Sequence, residues 1–311
     1  MPKKWSPRGR VRRPAGGLPE FRDGRKTYGP GGQCRRFDDF DSPSDGRRRD
    51  SPIPAALMAD HFRTVGFTLE PSELQSLLQR ALGGGTVIEA PHGDYRVWTP
   101  GAGAELWVNL YRLDGKRREL AGANPHFAGD ARMHAIVEGI EPNPDFALEG
   151  ELYAWASPHG DEHGLYPFSA SVPDFDASLA KRDVPFRAEL ALAGFAHELR
   201  WWADETGYRQ SLRDEPTGFA TTSFLPIGLF GSNTGRARSQ CVVTGTIRAC
   251  ETRINPATER AFWRLRMETY GGEVDVLAAP DVVRGQPPLG GIVRATCWLT
   301  ARIVSSDDEE A

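Results

Sequence analysis

Met58 divides the chain into two parts with opposite folding prospects. Residues 1–57 hold fourteen Lys or Arg against seven Asp or Glu, eight Pro, eight Gly and the run Arg47-Arg48-Arg49. They show no apolar periodicity, so this stretch cannot bury enough surface to offset the entropy of ordering it. It reads as a disordered basic tail, or as translated sequence upstream of a start at Met58; a basic arm for nucleic acid or a membrane surface is the functional alternative. Arg35-Arg36-Phe37 resembles the core of a twin-arginine signal, but Asp38-Asp39-Phe40-Asp41 follows where an apolar stretch is needed. The remaining 254 residues carry 24 basic and 35 acidic side chains, an acidic body long enough for one large core or two small ones.

No apolar run approaches the ~18–20 residues that cross a bilayer, so no membrane association is expected. Cys34, Cys241, Cys250 and Cys297 form no C-x-x-C pair, which suggests free thiols in a reducing, cytoplasmic setting. The pattern predicts an α+β protein. A first domain spans 58–225, a small antiparallel β-barrel spans 236–303, and 304–311 is an acidic disordered tail.

In the first domain, His61–Leu69 reads as a strand and Pro71–Leu82 as a helix, with Ser72 and Gln75 as a capping box and Gly83-Gly84-Gly85 as its stop. TVIEA, DYRVWT and AELWVNLYR read as three strands, and Asn124-Pro125-His126 as a turn. MHAIVEGIE, GELYAWAS and YPFSASV add three more. FRAELALAGFA reads as a strand running into a helix, HELRWWADETGYR, with Phe195, Leu199, Trp202 and Thr206 as its apolar stripe. His159-Gly160-Asp161-Glu162-His163 collects four metal-binding side chains but lies between Pro158 and Gly164, as a solvated turn would. His197-Glu198 begins the metalloprotease motif, and Trp201 stands where its second histidine belongs. There is no G-x-S-x-G elbow, no Walker loop and no complete dinucleotide fingerprint, so no motif names a reaction.

The β-α-β-β-β order over Ala59–Leu113, with His61 opening the first strand and Glu105 in the last, resembles one module of the vicinal-oxygen-chelate superfamily, the glyoxalase and bleomycin-resistance group. The resemblance implies a cup holding one divalent metal ion, with His61 and Glu105 as ligands; imidazole and carboxylate suit a first-row metal or zinc. It also implies lyase, isomerase or dioxygenase chemistry, or sequestration of a small molecule, and a homodimer that supplies the second ligand pair. Residues 131–225 do not repeat the order.

After the Gly-rich segment GLFGSNTGRAR the apolar period becomes two. Four or five strands in about seventy residues resemble the small Greek-key barrel called the OB-fold. Alternation places Phe262, Arg264, Arg266 and Tyr270 on one face of a strand, and Arg294, Trp298 and Arg302 opposite the apolar face of Val293, Ala295, Cys297, Leu299 and Ala301. A face mixing arginine with aromatic rings suits single-stranded nucleic acid, because cations follow phosphates while rings stack bases. The alternative is that Phe262 and Trp298 pack against the first domain. Two functions follow: a binding or accessory protein that engages single-stranded nucleic acid or a protein partner through Phe262, Arg264, Arg266, Tyr270, Arg294 and Trp298, or a metal-dependent small-molecule protein built on His61 and Glu105.

Overall fold

A computed structural model describes residues 61–113, 117–158, 164–214, 219–227 and 239–307. The basic N-terminal residues, the 159–163 cluster, most of the Gly-rich segment and the acidic end 308–311 lie outside the described residues. The described chain is sheet-rich, with short helices. Among the described residues no helix is long and apolar enough to cross a membrane.

The first helix, α1 (Pro71–Gly84), forms as its spacing predicts and buries Leu77 and Ala81. Its start differs. Glu70 is the N-cap residue and makes no side-chain cap, while Pro71 at the first position needs no N–H partner. A four-stranded antiparallel sheet follows in the order β1 (Thr86–Glu89), β2 (Gly93–Gly101), β3 (Ala104–Arg112) and β4 (Arg118–Phe127). β4 replaces the expected turn at 124–126. It is an edge strand, the one place where the missing N–H of Pro125 leaves the ladder intact. The expected first strand is instead a helical turn at His61, in which Phe67 N donates to Phe62 O at 2.9 Å and Thr64 Oγ1 to His61 O at 2.7 Å. Gly66 at φ +74° reverses the chain there, a conformation that side chains rarely adopt.

The remaining strands form one nine-stranded sheet with two extra pairings. β5 (Arg132–Pro142), β6 (Gly150–Ala156) and β7 (Pro167–Ser171) make a meander, and β8 (Phe186–Trp202) returns antiparallel to β5. β10 (Gln240–Asn255), β11 (Arg260–Thr269) and β12 (Gly272–Ala278) make a second meander, and β13 (Ile292–Ser306) returns antiparallel to β10. Short β9 (Ser223–Pro226) flanks β10. The two long strands then pair with each other antiparallel over fourteen positions. β8 also lies parallel to β12, and β13 meets β7 in parallel at Thr300–Ser171. Pairing therefore runs in two five-strand circuits that share β8 and β13, each circuit completed by the other's long strand. Pro-Asp follows β7 (Pro173-Asp174) and also β12 (Pro280-Asp281), so the two halves repeat even at this turn.

This topology corrects two expectations. The boundary between 225 and 236 does not separate two sheets, because β8 is a member of the C-terminal circuit. HELRWW is strand rather than helix; only Glu205–Ser211 (α2) is helical, started by Asp204 Oδ1 accepting from Gly207 N at 2.7 Å. A helix of about a dozen residues is marginal alone. Cross-strand pairs contribute about 0.2–1 kcal/mol each, and over fourteen positions they outweigh local preference.

Two large apolar layers result. One fills the circuits and includes the inward face of β13, Val293, Ala295, Cys297, Leu299 and Ala301, as alternation predicts. Gly194 lets β8 close on β13 here, since a Cβ would stand 3.1 Å from Cys297 Sγ. The other lies between the four-stranded sheet and the second circuit: Leu106, Val108 and Phe127 pack with Phe62, Phe67 and α1 against Phe195, Phe262, Leu277 and Trp298. Phe262 is fully buried at the centre of that contact, edge-on to Phe127. Phe262→Ala is expected to cost about 3–5 kcal/mol, measured by urea unfolding; a loss below about 1 kcal/mol would mean that the first sheet does not pack here.

Candidate polar crevice

The proposed nucleic-acid stripe is dispersed by this packing. Phe262, Arg264 and Trp298 are 0%, 3% and 9% exposed. Arg264 is the buried hub of an ion cluster that reaches the surface: its guanidinium donates to buried Asp275 at 2.6 Å and to exposed Asp130 at 3.3 Å and Glu251 at 3.4 Å. Asp275 also accepts from Ala131 N at 3.0 Å, which ties β12 to the start of β5. Of the other three residues, Arg266 lies 3.8 Å from Glu273, Arg294 lies over the Trp202 and Phe219 rings, and Tyr270 is half exposed. Alternation assigned the faces correctly, but the outward face of a circuit here is the inward face of an interlayer contact.

His61 and Glu105 hold different partners. His61 stacks on Trp298 with ring centroids 4.3 Å apart, and its Nε2 lies 3.2 Å from His197 Nε2. Burial and the neighbouring His197 push its pKa down to about 3, so it is neutral. Glu105 accepts from Trp107 Nε1 at 2.9 Å and lies 4.0 Å from Arg302. Among the described residues no group of three or more His, Cys, Asp or Glu is placed to hold a metal ion.

Polar groups collect instead on the opposite face of β3. Strand alternation sends Leu106 and Val108 to the apolar layer and Glu105, Trp107 and Asn109 to the other side. Asn124 pairs with Trp107 across the strands, and His126 with Glu105. The loops of the first circuit close over this face. Glu149 accepts from Asn124 Nδ2 at 3.0 Å, Asn109 Nδ2 at 3.1 Å and Asn143 Nδ2 at 3.4 Å. Tyr95 donates to Leu148 O at 2.6 Å and accepts from Asp176 N at 2.9 Å. Arg302, from the outward face of β13, lies over the Trp107 ring at 5.3 Å. His126 Nδ1 is 3.0 Å from Thr300 Oγ1 on the same strand face.

The electrostatics are unusual for a structural network. Burial raises the pKa of Glu149 in spite of its three amide donors. Burial raises that of Asp174 too, partly opposed by Arg302. Burial and Arg302 push His126 down to about 3. Three buried polar atoms in or beside this polar layer, Asn109 Oδ1, Asp174 Oδ1 and Arg302 Nε, have no hydrogen-bond partner. Each such atom costs about 1–3 kcal/mol; others lie elsewhere, at Ser223, Thr244 and Arg266. Sequence reasoning missed Asn109, Asn124, Glu149 and Asp174; the readable signal was Asn109, a polar residue at a strand position flanked by Val108 and Leu110. A separate cleft of about 430 Å³ is lined by Arg63, Gly66, Phe67, Thr68, Glu70 and Arg260. Its two arginines are committed, to Asp281 at 2.8 Å and Glu73 at 2.6 Å.

Two titrations follow. A histidine whose folded pKa lies below its unfolded value is charged only on unfolding as pH falls from about 6.5 toward 3, so the fold loses stability over that window, at about 1.4 kcal/mol per pH unit. His126→Gln is expected to flatten this decline in urea unfolding between pH 6.5 and 4. Asp174 has the opposite sign: its raised pKa favours the fold at low pH, and that stability is lost as pH rises through the folded value. Asp174→Asn is therefore expected to stabilise the protein at pH 7.5 more than at pH 4. No family model matches the chain, and comparison with curated proteins and with solved structures likewise finds no match.

Proposed function

We propose that this chain is a binding protein for a small polar molecule, held among the polar side chains between the four-stranded sheet and the first circuit. The observation that carries this reading is the set of three unsatisfied buried atoms from separate elements: Asn109 on β3, Asp174 after β7 and Arg302 on β13. Two acceptors and one donor match a ligand with hydroxyl or amine donors at one end and an acceptor oxygen at the other. Partly buried carboxylates with raised pKa values are common at sites that work on ligands, which supports the same place. The strand order also supports reading each circuit as a variant of the small Greek-key OB barrel, a scaffold that carries ligands on its outer face.

The test combines stability with binding. The full chain is screened by thermal shift against monosaccharides, polyols, amino acids and hydroxy acids. Expected is a class of compound that raises the melting temperature, with affinity at least tenfold weaker in Arg302→Met and Asn109→Leu. Arg302→Met alone is expected to leave stability within about 0.5 kcal/mol of the parent or to raise it, because the unsatisfied Nε is removed. If no class shifts the protein and both replacements cost more than about 1 kcal/mol, the network is structural and the reading fails.

A further inference from the structure

The His61–His197 pair stands apart from the crevice and has a geometry of its own. The two residues are 136 positions apart, yet their Nε2 atoms are 3.2 Å from each other. Two nitrogens bound at about 2.0–2.1 Å to one tetrahedral ion are separated by about 3.3 Å. His197 is the extra residue of a β-bulge: Glu198 pairs with Thr296 and Ala196 with Cys297, so His197 has no opposite number on β13. Bulges re-aim single side chains, and this one brings His197 to the buried His61. His61 is held in place by Trp298, whose Nε1 donates to Ser171 Oγ at 3.2 Å. Both imidazoles thus come from elements fixed by packing, and one ring is buried and the other half-buried.

We propose that His61 and His197 form a two-imidazole site for one divalent ion of the copper or zinc class, completed by non-protein ligands. Coordination uses both Nε2 lone pairs. The ring that donates in the metal-free pair moves its hydrogen to Nδ1, so the imidazoles release no proton. Neutral imidazole is the form that binds. A hard cation such as magnesium, which prefers oxygen ligands, is excluded by the donor set.

Tag-free full chain is titrated with Cu²⁺, Zn²⁺ and Mg²⁺ in a His159→Ala/His163→Ala background, which removes the other closely spaced histidines. Because Trp298 stacks on His61, bound Cu²⁺ is expected to quench tryptophan fluorescence, and Trp298→Phe to remove most of that quenching. His197→Ala and His61→Ala are each expected to weaken Cu²⁺ and Zn²⁺ binding at least tenfold, with Mg²⁺ inert throughout. His197 is half-buried, so His197→Ala keeps the test informative if His61→Ala unfolds. Equal copper affinity in His197→Ala and its parent, measured on folded protein, overturns the proposal.

Discussion

The antiparallel ladder between β8 and β13 is the contact on which the other layers depend. Each of these strands is long because it serves two circuits: one part closes its own meander, and another supplies the missing strand of the other. Fourteen paired positions hold them together. Small residues at the crossing, Ala193, Gly194 and Ala196 on β8 and Ala295, Cys297 and Ala301 on β13, let the backbones and the two interiors approach closely. A bulky residue at Gly194 would strike Cys297 and separate the circuits. The outward faces of the same strands then become the floor for the four-stranded sheet.

That sheet divides its two faces between packing and chemistry. Along β3, odd and even positions alternate between an apolar layer (Leu106, Val108) and a polar crevice (Glu105, Trp107, Asn109). The apolar face holds the sheet on the second circuit, and that anchorage allows the other face to keep polar atoms unsatisfied. Burial costs of a few kcal/mol are tolerable where a large hydrophobic contact fixes the scaffold. Arg264 is the opposite case: its guanidinium is buried but paired with three carboxylates, and so a structural fastening rather than a binding surface.

The metal ligands suggested by residue type illustrate what sequence spacing cannot see. His61 is beside a histidine, as its chemistry invites, but the partner is His197 rather than Glu105. The bulge that presents His197 has no local sequence signature. It is created where two long strands must pair with unequal residue counts. HELRWW failed for a related reason, since its helical stripe is equally compatible with a strand once β13 lies alongside.

Period and composition alone determined the class of element almost everywhere from residue 71 onward: α1, β1 to β3, β5 to β7, the first half of β8 and the C-terminal strands all follow from apolar spacing and turn residues. They also determined which side chains share a face. Tertiary structure decided which face meets what. Phe262, Arg264 and Trp298 share the alternation of a stacking platform, yet lie under or against the first sheet. Glu149 and Asp174 come from loops whose partners lie far along the chain. The reason is physical: side-chain alternation is set by the local pleat, whereas solvent exposure depends on long-range pairing that no single segment encodes.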